Sequence, residues 1–178
     1  AWADYYGMAN IEQNREVNDS TIFITASISK TVTTTAIMQL WEEGEFDLDD
    51  DVNNYLPDSL DISNPAYPET PITFRHLLTH TSSIKSASLW NYMIYGEDPT
   101  ISLMDFTRGF MMPGGEYEPD GSAYNAYLPG SNFNYCDTGN ALLAVLVEQI
   151  ADTSFNAYCH ANIFEPLGMD LTAWYFAD

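Results

Sequence analysis

The sequence predicts an α+β fold built mainly of helices, with a short strand region at its N-terminal end. Residues 27–43 and 138–150 carry apolar side chains at helical spacing. Shorter helical patterns recur at 74–79, 102–110 and 154–164. Strand-like stretches are short, lie near the start, and are too few to close a sheet by themselves.

In chain order, Trp2 to Met8 is aromatic and ends near Gly7, which suits a strand or its exit. Asn18-Asp19-Ser20 marks a turn, and Thr21 to Ile24 forms a β-branched approach to Ser27. From Ser27 to Glu43, Val32, Ala36 and Leu40 repeat every four residues beside Ile37 and Trp41, and Gly44 is placed to end the helix. Phe46 to Pro57 reads as an acidic loop. Asp47, Asp49, Asp51 and Asn53 alternate as in a calcium loop, but Val52 and Asp58 hold the places where an EF-hand needs Gly and Glu, so a solvated loop is expected. Thr73 is placed to cap a helix from Phe74 to Thr79. Met112 to Asn134 is rich in Gly, Pro, Tyr and Asn and predicts a long irregular segment of the kind that borders functional sites. Ala141 to Val147 is the longest apolar run and reads as a core helix face, too short to span a membrane. A last helix is expected from Ser154 to Phe164, stopped by Pro166.

The chain has 178 residues, enough for a real core, and its 46% apolar and 14% aromatic content is that of a folded protein. Its 26 acidic and 5 basic residues give a formal charge of -21, which argues against nucleic acid or an anionic membrane as partner. Cys136 and Cys159 could form at most one bridge; two free, buried thiols are expected.

Ser27 and Lys30 lie three apart at the start of a helix, which places both side chains on one face. A serine hydroxyl needs a base before it attacks, and a lysine serves only if burial or nearby positive charge lowers its pKa. Ser-x-x-Lys is a weak signal alone, and Ser82 to Lys85 repeats it in a polar loop. What separates Lys30 is its amphipathic helix. Tyr135, on the turn before the helix at Thr138, could act as a phenolate base near a lysine. His76 and His80 have a zinc-compatible i, i+4 spacing, yet no Glu follows His76 and no third ligand is evident, so packing or capping is expected of them. His160 stands alone. No metal or other cofactor is expected.

Together these segments resemble the serine β-lactamase and penicillin-binding-protein-like superfamily, in its branch of class C β-lactamases, D-alanyl-D-alanine carboxypeptidases and family VIII esterases. The resemblance runs in order through Phe23 to Thr31, Ala36 to Leu40, Leu48 to Pro57, Ile72 to Ser82, Pro129-Gly130-Ser131, Asn134 to Gly139 and Ile163 to Met169. It implies a β-lactamase/transpeptidase-like fold in which residues 1–24 belong to the sheet domain and 25–178 form the helical domain. It also implies Ser27 as acylated nucleophile, Lys30 as its proton-accepting partner and Tyr135 as proton shuttle, in a periplasmic or secreted hydrolase of esters, amides or β-lactams. An esterase or peptidase is favoured over a dedicated β-lactamase.

Two departures stand out. Asp137 replaces the Asn usual at the third place of the Tyr-x-Asn motif. An amide can donate to a substrate carbonyl and a carboxylate cannot; Asp137 beside Lys30 would also hold that lysine protonated. The family's third motif, Lys/His-Thr/Ser-Gly on a later strand, has no counterpart before Asp178. Most of the sheet domain is therefore expected to be missing. An apolar face is then left for the missing C-terminal half or a second copy, and a catalytically impaired binding or scaffold module of the same fold is the alternative function.

Overall fold

The computed structural model describes residues 3–87, 97–119 and 121–175. Chain order begins with an antiparallel hairpin, β1 (Met8–Asn10) and β2 (Arg15–Glu16), pairing Met8 with Glu16 and Asn10 with Arg15. The strand expected from Trp2 starts only at Met8, because Gly7 turns the chain at a φ of +80°; Trp2 itself lies outside the described residues. Thr21 to Ile24 is irregular, not strand, and Ile22, Phe23 and Ile24 are exposed.

A 3-10 turn, Ala26–Ile28, leads into α1 (Ser29–Glu42). Gly44 follows at a φ of +83°, the left-handed stop that its lack of Cβ permits. The buried face of α1 is Thr33, Ala36, Ile37 and Leu40. Ala36, Ile37 and Leu40 are buried as expected, while Val32 is only partly buried, Trp41 is exposed and Thr33 joins the buried face. Thr33 Oγ1 accepts a 3.2 Å bond from Asn140 Nδ2, which ties α1 to the central helix.

The acidic segment is organised by its own side chains. Asp51 caps a 3-10 turn, Val52–Tyr55, and Asp50 accepts from the Tyr55 hydroxyl at 2.6 Å. Arg75 clamps Asp49 through two bonds of 2.7 and 2.8 Å. α2 (Phe74–Leu78) carries a reciprocal cap: Thr73 Oγ1 accepts from the His76 amide while His76 Nδ1 accepts from the Thr73 amide, both at 3.3 Å. His76 is thus a capping residue, as its sequence context predicts.

α3 (Leu103–Met111) is capped by Ser102, and α5 (Phe155–Cys159) by Ser154. The expected helix over 154–164 is α-helical only to Cys159 and continues as a π turn, His160–Phe164. α4 (Asp137–Ala151) is the axis of the molecule, with Leu142 to Val147 buried and α1, α2, α3 and α5 packed around it. Burying a side chain such as Leu142 or Leu146 contributes about 1.5–3 kcal/mol, and this core holds the start of α1 against the start of α4. Cys136 and Cys159 are both free and buried. No helix among the described residues is long and apolar enough to cross a membrane.

The irregular 121–134 segment is laced to the rest by Asn64, a fully buried amide. Its Nδ2 donates to Ser83 Oγ at 2.9 Å and to the carbonyls of Asn125 and Tyr127 at 2.9 and 3.3 Å.

Candidate active site

Four side chains from two helix starts converge. Ser27, in the 3-10 turn before α1, is exposed. Lys30, in the first turn of α1, points its ammonium at Ser27 and donates to Oγ at 3.3 Å. Tyr135, just before α4, sets its ring 4.9 Å from Lys30 Nζ. Asp137, the first residue of α4, forms an ion pair with Lys30 in which each side chain is 18% exposed. The structure therefore brings together all four residues singled out by the sequence. It keeps Lys85 elsewhere, with its ammonium donating to the Ser122 carbonyl at 2.7 Å.

Ala26, immediately before Ser27, has a φ of +46°. For a residue with a Cβ this left-handed conformation costs about 1–2 kcal/mol. Strain of this kind collects where a fold fixes a functional side chain. Nothing in the sequence marks it, since alanine is an ordinary helix former.

The charges set opposite directions for the two candidate bases. Burial pulls the Lys30 ammonium down. The hydrogen bond and charge of Asp137, joined by Tyr135, outweigh it and hold the Lys30 pKa above its ordinary value. The requirement of a lowered lysine pKa is not met in this arrangement. Tyr135 moves the other way: hydrogen bonding by Lys30, then by Ser27, favours the phenolate and lowers its pKa, with Asp137 opposing.

Two supporting residues were not visible as such in the sequence. Ser86 brackets Asp137, its Oγ accepting from the Asp137 amide at 3.0 Å and donating to Oδ2 at 3.3 Å. His80 lies beneath the Tyr135 segment, its ring centroid 4.7 Å from that of Tyr135. Cys136 caps α4, its sulfur accepting from the Gly139 amide at 3.1 Å. Burial pushes its thiol pKa up to about 11, so it is no competing nucleophile. Gly130 is also dictated by packing. At a φ of +86° it lies against His76, and a Cβ there would sit 2.7 Å from Nε2.

The sequence profile of the Beta-lactamase family matches residues 1–178. Penicillin-binding protein 4* of Bacillus subtilis is 28% identical over 172 residues, covering 96% of this chain and 34% of its own length. Esterase EstB of Burkholderia gladioli is 29% identical over 171 residues, covering 92% of this chain and 41% of its own. Among solved structures, a penicillin-binding protein from Bacillus halodurans superposes with a TM-score of 0.73 at 27% identity, over 97% of this chain and 48% of that one. The octameric penicillin-binding protein homologue from Pyrococcus abyssi gives 0.66 at 31% identity, over 92% and 35%. The chain spans about a third of the length of the first curated relatives it matches. The match along the whole chain, with the β-lactamase/transpeptidase-like fold around the Ser27 site, shows that this chain belongs to the Beta-lactamase family.

Proposed function

We propose that the protein is a serine hydrolase that acylates Ser27 and then releases the acyl group to water. The observation that carries this is the convergence of Ser27 Oγ, the Lys30 ammonium and the Tyr135 phenol. Lys30, held protonated by Asp137, is a donor in the resting site. Tyr135 is the group with the lowered pKa, so its phenolate oxygen takes the Ser27 proton as Oγ bonds to the substrate carbonyl carbon. The protonated Tyr135 then gives that proton to the departing alcohol or amine. Water repeats the sequence: its proton goes to Tyr135, its oxygen bonds to the acyl carbon, and Ser27 leaves with the proton returned.

The substrate is an ester, amide or β-lactam, with esters and peptides favoured over β-lactams. Asp137 bears on specificity, since a carboxylate offers no N–H to a substrate carbonyl. A penicillin-binding protein and an esterase among the relatives match this range. We place the protein in the periplasm or outside the cell, as the sequence resemblance implies. The exposed side chains of Ile22, Phe23, Ile24 and Phe133 beside the site support an association with further sheet structure or another copy.

The Lys30–Asp137 ion pair favours one second reading, a binding module of the same fold with impaired chemistry. A fluorophosphonate probe and a fluorescent penicillin separate the two. Labelling that disappears in Ser27→Ala supports the hydrolase; a folded protein that neither probe labels refutes it.

A further inference from the structure

His80 takes no part in the chemistry above, yet the residues on both sides of Tyr135 hang on it. Its carbonyl accepts from the Asn134 amide at 2.8 Å. Its Nδ1 accepts from the Cys136 amide at 3.2 Å. Between these two anchors the imidazole lies against the Tyr135 ring, tilted by 45° at 4.7 Å, and meets Phe133 edge-on at 6.0 Å. The backbone of His80 is itself left-handed, with a φ of +56°, so it presents carbonyl and ring toward the same segment.

Only a neutral imidazole can accept the Cys136 bond at Nδ1. With the proton on Nε2, Nδ1 has a lone pair for the Cys136 amide; a second proton would set N–H against N–H. We propose that neutral His80 is the positioning residue for Tyr135, and that its protonation switches the site off in acid by releasing the Cys136 amide on the far side of Tyr135. The proposal rests on the serine-hydrolase reading for its functional consequence, though not for its geometry.

The groups that face His80 are Lys30 from α1, Asp137 from α4, and Tyr135 and Cys136 from the segment it holds. Burial lowers its pKa first, the Lys30 charge lowers it further, and Asp137 opposes. The net direction is below the ordinary 6.5, so the switch works in mild acid and leaves the site assembled at neutral pH.

The test follows Ser27 labelling by a fluorophosphonate against pH. In the wild type the acid limb steepens below the His80 pKa, because a second proton must leave besides that of Tyr135. His80→Asn keeps an acceptor near the Nδ1 position and tolerates left-handed backbone. It should retain neutral labelling and lose the extra break. His80→Gly also tolerates that backbone but has no acceptor; it should label roughly a hundredfold more slowly at neutral pH, with the gap narrowing in acid where protonated His80 has lost the same anchor. Independently of labelling, the Cys136 amide resonance should titrate together with the His80 ring, in Ser27→Ala as in the wild type. An acid limb identical in wild type and His80→Asn, or a Cys136 amide indifferent to His80 titration, overturns the proposal. If no pH gives labelling while the amide still titrates, the hydrolase reading fails and the hold of His80 on the segment stands.

Discussion

Replacing Asp137 by Asn alters the one residue of the site that departs from the family pattern. The substitution keeps the size and an oxygen for Ser86 but removes the negative charge beside Lys30. Two opposite charges about 4 Å apart attract by roughly 4 kcal/mol at an effective dielectric of 20. Exposed pairs deliver about 0–1 kcal/mol and broken buried ones cost about 3–5, so a pair only 18% exposed on each side falls between, near 2 kcal/mol. Thermal unfolding of Asp137→Asn should shift down by about 4–8 °C. The sign with pH is fixed. The raised Lys30 pKa means the stabilisation is full below the ordinary 10.5 and is lost as pH rises through the folded value. The gap between wild type and variant should therefore close in strong alkali. Activity moves oppositely. Without the carboxylate, one of the two groups that raise the Lys30 pKa is gone, and Tyr135 loses the charge that opposed its ionisation. Fluorophosphonate labelling of Ser27 at neutral pH should rise about tenfold, the equivalent of about 1.4 kcal/mol, with its acid limb moved to lower pH. A rate unchanged or reduced, on an unmoved limb, would refute the electrostatic reasoning.

Further outcomes follow from the packing. Asn64→Ala strands Ser83 Oγ and the Asn125 and Tyr127 carbonyls, and should cost about 2–4 kcal/mol in urea unfolding. Gly130→Ala combines a left-handed backbone with a close approach to His76 and should cost a similar amount, about 2–4 kcal/mol, measured the same way. Ala26→Gly relieves left-handed strain and should raise stability by about 1 kcal/mol. The same variant should label Ser27 more slowly, because the turn that fixes the hydroxyl is loosened.

The parts of the fold that local chemistry decides were legible in the sequence. Thr73, Ser102 and Ser154 sit at helix starts and Gly44 at a helix end because caps and stops act within a few residues of themselves. Ser27, Lys30, Tyr135 and Asp137 were legible as motif residues, and the fold brings them to one place. What was hidden depends on contacts across long stretches of chain. Thr33 joins the buried face of α1 beside Ala36, Ile37 and Leu40, where it meets Asn140 over a hundred residues away, while Trp41 stays in solvent. Asn64 and Ser86 read as ordinary loop residues until the 120s and the start of α4 are folded against them. His80 looked like half of a weak zinc pair, and only the path of residues 133–136 shows what its ring holds. At Lys30 burial and Asp137 pull in opposite directions, and the geometry favours the carboxylate.

The most direct measurement is the intact mass of the folded protein after reaction with a fluorophosphonate at neutral pH, with the adduct mapped by peptide fragmentation. A single adduct on Ser27, absent in Ser27→Ala and much slower in Tyr135→Phe, is the expected result. No adduct at any pH, or one that persists in Ser27→Ala, would contradict the assignment of Ser27 as the nucleophile.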